Sequence, residues 1–439
     1  MHINPTAMKI KKLSTAFLVV SLSMFFFIQL GCKKSEDPVT SDKYLTLGVI
    51  LPMDQEKGTL RENALRTAID EVNENGGVGD GYEIRLVVES SEGSDRKAAA
   101  ALAAEEIITK SNYLIGFISS FSSSSSGIIE EVVPNLFPII SGSATASSLS
   151  GISPYFQRLC APDPFEANIL VQQAVEYGIN SVAIAVEEGD QYSEELANAF
   201  QNKFTNGTVT KVSFTQGDPN YATKINELLM DNPDGIFISM LNSNVYIEFL
   251  TMLGNINNAK SIVETSFILC DGLFTNELFQ APIEYMIGEV NGHPKNFGAF
   301  PSADTSSAEY AYFSEKLMEK YDQEVASYNA QFYDIGFIYA LAIQRSFTNV
   351  DVTTINAFKE MVSVNIRPVS GENSGDIVVS PSQGWQAMKS SAQSSSIDYN
   401  GASGNCNIDS QGNTITPYSV FKVVKQDQDI SFEIIKIIP

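Results

Sequence analysis

The sequence has almost no histidine. Of its two, His2 and His293, only His293 lies beyond the first 31 residues. A Ser-His-Asp or Cys-His site would have to be built on His293, whose neighbours Asn291-Gly-His-Pro-Lys295 read as a solvated turn. Cysteine is scarce as well. Cys160, Cys270 and Cys406 follow Cys32; three permit at most one disulfide among them, and no spacing suits a metal ion. Whether Cys160 and Cys270 pair is left open. Positive charge is in short supply: 28 lysines and arginines face 52 aspartates and glutamates. Such a surface repels phosphate backbones, which argues against nucleic acid as a partner. The apolar run Ala16 to Ile28 has 13 residues, short for a membrane span. No glycine-flanked nucleophile elbow and no phosphate-binding glycine loop occurs. An enzyme, a catalytic residue, a metal and a cofactor are therefore not expected.

What is there begins with a leader. Lys9, Lys11 and Lys12 precede the apolar run, and the segment closes Gln29-Leu-Gly-Cys32. This resembles a bacterial lipobox, in which a small residue precedes a cysteine that becomes lipidated and the new N-terminus. Gln29 stands where the usual pattern has leucine. Residues 1–31 are expected to be a lipoprotein signal peptide, Cys32 the lipidated residue, and 32–43 a polar tether. The alternative is an uncleaved anchor with Lys33 and Lys34 as its second flank. Either way the rest of the chain is expected outside the cytoplasm, held at a membrane. Removing the leader leaves 25 basic residues against 52 acidic ones.

At 439 residues the chain exceeds what one core usually serves, so two domains are expected. From Tyr44 strand and helix signals alternate. Leu45 to Leu51 is an apolar run; Leu60, Ala64, Leu65, Ala68, Ile69 and Val72 then recur at helical spacing, closed by Gly76-Gly77. Further strands are expected at Glu83–Val88, Tyr113–Ile118 and Leu136–Ile140, with Asp95 capping a helix between the first two. After Tyr155 to Ala161 the alternation restarts, with strands at Ser181–Val186, Thr208–Phe214, Gly235–Leu241 and Ser266–Cys270. A helix pair, Tyr310–Lys320 and Asp334–Ser346, must return to one lobe, and Tyr418–Val424 with Ile430–Ile438 reads as a terminal hairpin. The fold class is α/β: two Rossmann-like lobes with parallel sheets, whose shared cleft is the default ligand site.

Two small-polar stretches stand out. Five serines, Ser122 to Ser126, follow the third strand, and Ser141-Gly-Ser-Ala-Thr145 follows the fourth. A serine run by itself reads as a flexible linker. At the carboxyl ends of buried strands, such residues leave N–H groups open to an anion.

Several stretches together carry a family likeness. Leu47-Gly-Val-Ile-Leu-Pro52 and then Glu62 to Gly77 resemble the opening of the type I periplasmic solute-binding proteins, in the branch that binds leucine, isoleucine and valine. Leu114-Ile-Gly116 through Thr145, Tyr328-Asn-Ala-Gln-Phe-Tyr-Asp334, and Ile397 to Gly404 with Asp409 and Gly412 are also similar to that family. The resemblance implies lobes joined by hinge crossovers: 44–161 with 293–380 as the N-terminal lobe, 162–292 with 381–439 as the C-terminal lobe. It implies that a ligand carboxylate is held by Ser120, Ser143, Ala144 and Thr145. Converging charge-assisted donors of this kind contribute about 1.5–3 kcal/mol each. It further implies Asp271 as the ammonium partner and Tyr192 closing over the ligand. Ser122 to Ser126 would start and cap the helix behind the site. The stretch Asn242-Ser-Asn244 and the loop Pro52 to Gly58 lack the aromatics of branched-chain binders, which implies a more polar specificity pocket.

The function so implied is a lipid-anchored solute-binding protein. It would capture an amino acid or similar small zwitterion by hinge closure and pass it to the membrane permease of an ABC transporter. The alternative keeps the fold and makes it a sensor that presents amino acids, amides or urea-like solutes to a membrane receptor.

Overall fold

A computed structural model describes residues 42–438 of the protein apart from 94, 257–261, 349–353, 372–375 and 395. The leader, Cys32 and nearly all of the tether lie outside the described residues.

The first lobe is built by alternation. Strand β1 (Tyr44–Leu51) is followed by α1 (Glu56–Glu74), β2 (Glu83–Ser90), α2 (Arg96–Lys110), β3 (Leu114–Ser119), α3 (Ser122–Val132), β4 (Ile139–Ser141) and β5 (Phe156–Arg158). The strands lie in the order β2-β1-β3-β4-β5, all parallel. Leu45, Leu47, Val49 and Leu51 enter the core on one face of β1 and Ile50 enters the core on the other, so continuous apolar sequence is required. Strand order reverses between β1 and β3, and the loops beyond their carboxyl ends diverge to leave a crevice.

Asp95 caps α2 by accepting the Ala98 N–H at 3.0 Å. The five-serine run opens α3, but its expected capping role is not found. The cap position falls on Phe121, which has no acceptor side chain. The run is small for another reason. A Cβ on Gly127 would lie 2.1 Å from the Lys97 carbonyl oxygen, so α2 and α3 cross too closely for ordinary side chains. Ser119 and Ser125 share a hydrogen bond of 2.8 Å beneath that crossing.

The second lobe takes α4 (Asp163–Glu176), β6 (Ser181–Glu187), α5 (Gln191–Lys203), β7 (Thr208–Phe214), α6 (Tyr221–Leu228), β8 (Gly235–Ser239), α7 (Ser243–Gly254) and β9 (Ser266–Leu269). A short hairpin, β10 (Glu289–Val290) and β11 (His293–Pro294), turns through Asn291 and Gly292 at φ of 53° and 79°. His293 stacks there on Tyr177, with centroids 4.5 Å apart. Strand β12 (Asn296–Pro301) follows. The chain then forms α8 (Ala308–Tyr321), α9 (Asn329–Ser346), α10 (Ile355–Ser370), β13 (Ile377–Val379), α11 (Trp385–Ser394), β14 (Ile397–Gly401) and β15 (Gly404–Asn405). It ends with β16 (Tyr418–Gln426) and β17 (Asp429–Ile438). The second sheet has the order β17-β16-β12-β9-β8-β6-β7. It is parallel from β12 to β7, while β16 runs antiparallel to both β12 and β17. The terminal hairpin is therefore an antiparallel edge on a parallel sheet.

Among the described residues three hydrophobic cores form, one on each face of the first sheet and one in the second lobe, and they divide the chain between the lobes. Cys160 packs in the first lobe and Ala161 in the second; Phe300 belongs to the second and Ala303 to the first; Ile408 belongs to the first and Tyr418 to the second. Two expected boundaries move accordingly. Strand β12, expected with the N-terminal lobe, is part of the second sheet. Residues 381–413, expected with the C-terminal lobe, pack on the first. Trp385 is the reason: it is buried against Phe337, and its indole N–H donates to the Gly77 carbonyl at 3.0 Å. Asp334 fastens the same segment by accepting from the Tyr399 hydroxyl and from the N–H groups of Ala402 and Ser403, at 2.7 to 2.9 Å. Cys160, Cys270 and Cys406 are free and buried. Among the described residues, no helix is long and apolar enough to cross a membrane, and no acidic, histidine and cysteine group could hold a metal ion.

Candidate functional site

The lobes enclose a cleft of about 590 Å³. One wall is the start of α1 with Lys57 and Arg61, the start of α3 with Phe121 and Ser122, and Ser143 in the loop after β4. The other wall is Tyr192 on α5 and Asp271, Gly272 and Phe274 after β9. Tyr328, the residue before α9, closes the inner end with a backbone φ of 66°.

Asp271 is the centre of the second wall. Its carboxylate accepts the hydroxyls of Tyr192 and Tyr328, one from each lobe. Its own N–H donates to Glu166 at 2.9 Å. Glu166 and Asp163 lie fully buried in the same region. Burial, reinforced by the neighbouring Asp271 charge, pushes both carboxyls well above the usual range. Burial likewise raises the phenols of Tyr192 and Tyr328, which therefore remain donors. It pushes the Cys160 thiol up to about 12, so no thiolate nucleophile stands here at neutral pH.

Arg61 dominates the first wall. It is 4% exposed, donates from Nη1 to Ser120 Oγ at 2.5 Å, and is ringed by Phe121, Tyr328 and Phe332 with centroids 5.0 to 5.6 Å away. Its Nε has no hydrogen-bond partner. Burial lowers the guanidinium to about 10, which leaves it charged at neutral pH. Because Ser120 accepts from Arg61, its own hydrogen is free for Ser143 Oγ, 3.3 Å away. Ser143 then has a hydrogen left for the cleft. Lys57 lies one helical turn before Arg61, 5.4 Å from the Phe121 centroid. Lys57 is half-buried; partial burial, then repulsion from Arg61, holds it near 8.

Of the residues expected from sequence, Ser143, Tyr192 and Asp271 meet at the cleft. Ser120 stands one layer behind, bonded to Arg61. Ala144 and Thr145 are not brought to the surface of the cleft. The Ala144 N–H turns to Ser141 Oγ at 3.1 Å, its carbonyl accepts from Arg158, and the Thr145 carbonyl accepts the Asp163 N–H. Tyr192, expected to close over the ligand, lines the cleft and donates its hydroxyl to the Asp271 carboxylate. Asn242 caps α7 and donates its N–H to Glu187 at 2.8 Å, so the expected polar loop is a helix start, and Leu241 faces the cleft in its place. The polarity comes from α1.

Arg61, Lys57, Tyr328 and Glu166 were not singled out from the sequence. A signal for two of them existed. Lys57, Arg61, Ala64 and Ala68 fall on one helical stripe, and cations in an otherwise apolar stripe demand a buried partner. Further polar contacts bridge the lobes at the rim: Arg96 to Asp190 at 3.3 Å, Ser126 to Gln191 at 2.8 Å, and Ser148 to Glu195 at 2.5 Å.

The sequence model of the receptor family ligand binding region matches residues 60–426, and the chain belongs to that family. Among solved structures, a leucine-binding protein of Thermotoga maritima is similar over 90% of this chain and 98% of its own, with TM-score 0.69 and 24% identity. A branched-chain amino acid transporter substrate-binding protein of Streptococcus pneumoniae, in complex with isoleucine, covers 90% and 100% at TM-score 0.68 and 17% identity. An ABC transporter solute-binding protein of Rhodopseudomonas palustris, in complex with 3,4-dihydroxybenzoic acid, covers 90% and 97% at TM-score 0.65 and 15% identity. No curated protein sequence matches the chain. The expected fold, two α/β lobes of the type I periplasmic binding proteins, is the fold observed.

Proposed function

We propose that the protein is the solute-binding component of an ABC transporter: a lipid-anchored receptor outside the cytoplasm that closes on an amino acid or similar small zwitterion and delivers it to a membrane permease. One observation carries the reading. The walls of the cleft bear opposite charge, with Arg61 and Ser143 facing Asp271, the arrangement a zwitterion needs once water is expelled. The ligand's carboxylate lies on Arg61 and the Ser143 hydroxyl. Its ammonium takes the Asp271 carboxylate, sharing it with the tyrosine hydroxyls. Tyr328 and Asp271 come from different lobes, so closing the hinge assembles this end of the site. The structural neighbours support a carboxylate on the ligand, since leucine, isoleucine and dihydroxybenzoic acid all carry one, and the first two support the ammonium. The leader supports the anchor, with Cys32 as the lipidated residue.

The test is calorimetric titration of the purified protein with the twenty amino acids. Saturable binding of at least one is expected. Asp271→Ala removes the acid assigned to the ammonium, and should weaken that ligand at least about a hundredfold. Undiminished affinity in this variant would remove Asp271 from the site.

A further inference from the structure

We propose that the ligand carries a second acid group, as a dicarboxylic amino acid does, and that Lys57 receives it. The proposal rests on the reading of the cleft as an amino-acid site and narrows the ligand within it.

Lys57 and Arg61 are separated by four positions on α1 and both line the cleft. Residues so spaced have Cβ atoms about 5–6 Å apart, a separation that the two carboxylates of a short diacid can span. The two cations are provided for differently. Arg61 has Ser120 as acceptor and three rings about it. Arg96, the third cation over the Phe121 ring, is paired with Glu92 and Asp190. Lys57 shares that ring, yet makes no ion pair or side-chain hydrogen bond among the described residues. The acids nearest in charge are engaged elsewhere: Glu92 by Gln55 and Arg96, Glu277 by the Tyr246 hydroxyl. Lys57 is half-buried, and this partial burial and the like charge of Arg61 both disfavour its ammonium. An anion between the two side chains offsets both effects at once. A neutral side chain such as leucine's would supply Lys57 with no anion when the lobes close.

Calorimetry with L-glutamate, L-aspartate, L-glutamine and L-leucine tests this on the purified protein, with Lys57→Met and Lys57→Arg as variants. One diacid should bind the unaltered protein at least about tenfold tighter than glutamine or leucine. Lys57→Met should lose about ten- to a hundredfold for that diacid while its affinity for glutamine changes by less than about threefold; Lys57→Arg should recover most of the loss. Glutamine or leucine binding as tightly as either diacid, with Lys57→Met without effect, overturns the proposal and leaves the amino-acid reading standing. Failure of all twenty amino acids to bind overturns both. If Lys57→Met lowers the melting temperature, Lys57→Arg, which keeps charge and bulk, decides by retaining or losing the preference for the diacid.

Discussion

The two walls of the cleft hold opposite charge by opposite means. On the α1 wall, cations stay charged: aromatic rings face Arg61, and a serine accepts from it. On the Asp271 wall, carboxyls are packed near one another. Asp271 receives the hydroxyls of Tyr192 and Tyr328, while burial biases Glu166 and Asp163 towards the protonated form. The second wall is compensated within the protein, by tyrosines drawn from both lobes. The first is compensated only in part, and Lys57 is the unpaired remainder. The difference teaches where selectivity resides. A wall that satisfies itself tolerates many ammonium groups; a wall left short of anions discriminates by what the ligand supplies.

The comparison can be broken most forcefully at Arg61. Arg61→Met keeps the bulk and removes the charge. Ligand affinity should fall at least about a hundredfold by calorimetry, the loss of two charge-assisted hydrogen bonds. Stability should move the other way. The folded protein holds this guanidinium at about 10 against an ordinary 12.5, so folding works against its charge, and the melting temperature should hold or rise. Affinity that survives would mean the α1 wall does not bind the carboxylate.

A smaller effect is expected at the rim. Arg96→Met leaves Asp190 without its partner in the other lobe, although Asp190 still caps α5 through the Ser193 N–H. The closed arrangement should lose about 1–2 kcal/mol, so all ligands should weaken by roughly tenfold alike. Small-angle scattering should show a larger radius of gyration. A loss confined to one ligand would show Arg96 acting on the ligand and not on closure.

The smallest change sharpens the account of the Asp271 wall. The Glu166 carboxyl is raised on folding above its unfolded value of about 4.3. Between the two values the folded chain holds more protons, so stability is highest below the unfolded value and declines as pH rises towards the folded one. Glu166→Gln, which mimics the protonated acid, should melt about 2–4 °C higher than the unaltered protein at pH 8 and show a flatter profile from pH 5 to 8. A profile as steep as before would assign the decline to other buried carboxyls, among them Asp163, Asp334, which burial holds near 6, and Glu187, which burial holds near 7.

Legibility in the sequence followed the range of the interactions. Parallel strands announced themselves as apolar runs, while Ser143 and Asp271 were implied by the family resemblance and lie where it implied, just beyond the carboxyl ends of β4 and β9. Arg61 was hidden because its helix was read for apolar periodicity, where a cation counts as surface; its partner Ser120 lies 59 residues on. Helix α10 was missed because Asn365, Arg367 and Pro368 interrupt its pattern, yet its packing against α9 holds it. The return of residues 381–413 to the first lobe depends on Trp385 meeting Gly77, 308 residues earlier, a match that no local pattern encodes.

The triple crossing between lobes has a consequence for biogenesis. A chain emerging N-terminus first cannot finish either lobe early. The first lacks its Trp385 anchor, and the second lacks β16, the strand that covers the outer edge of β12. Until β16 and β17 have been made, that edge stands open to pairing with other chains. A truncation that removes β16 and β17 should therefore aggregate rather than yield a working single lobe, as size-exclusion chromatography would show.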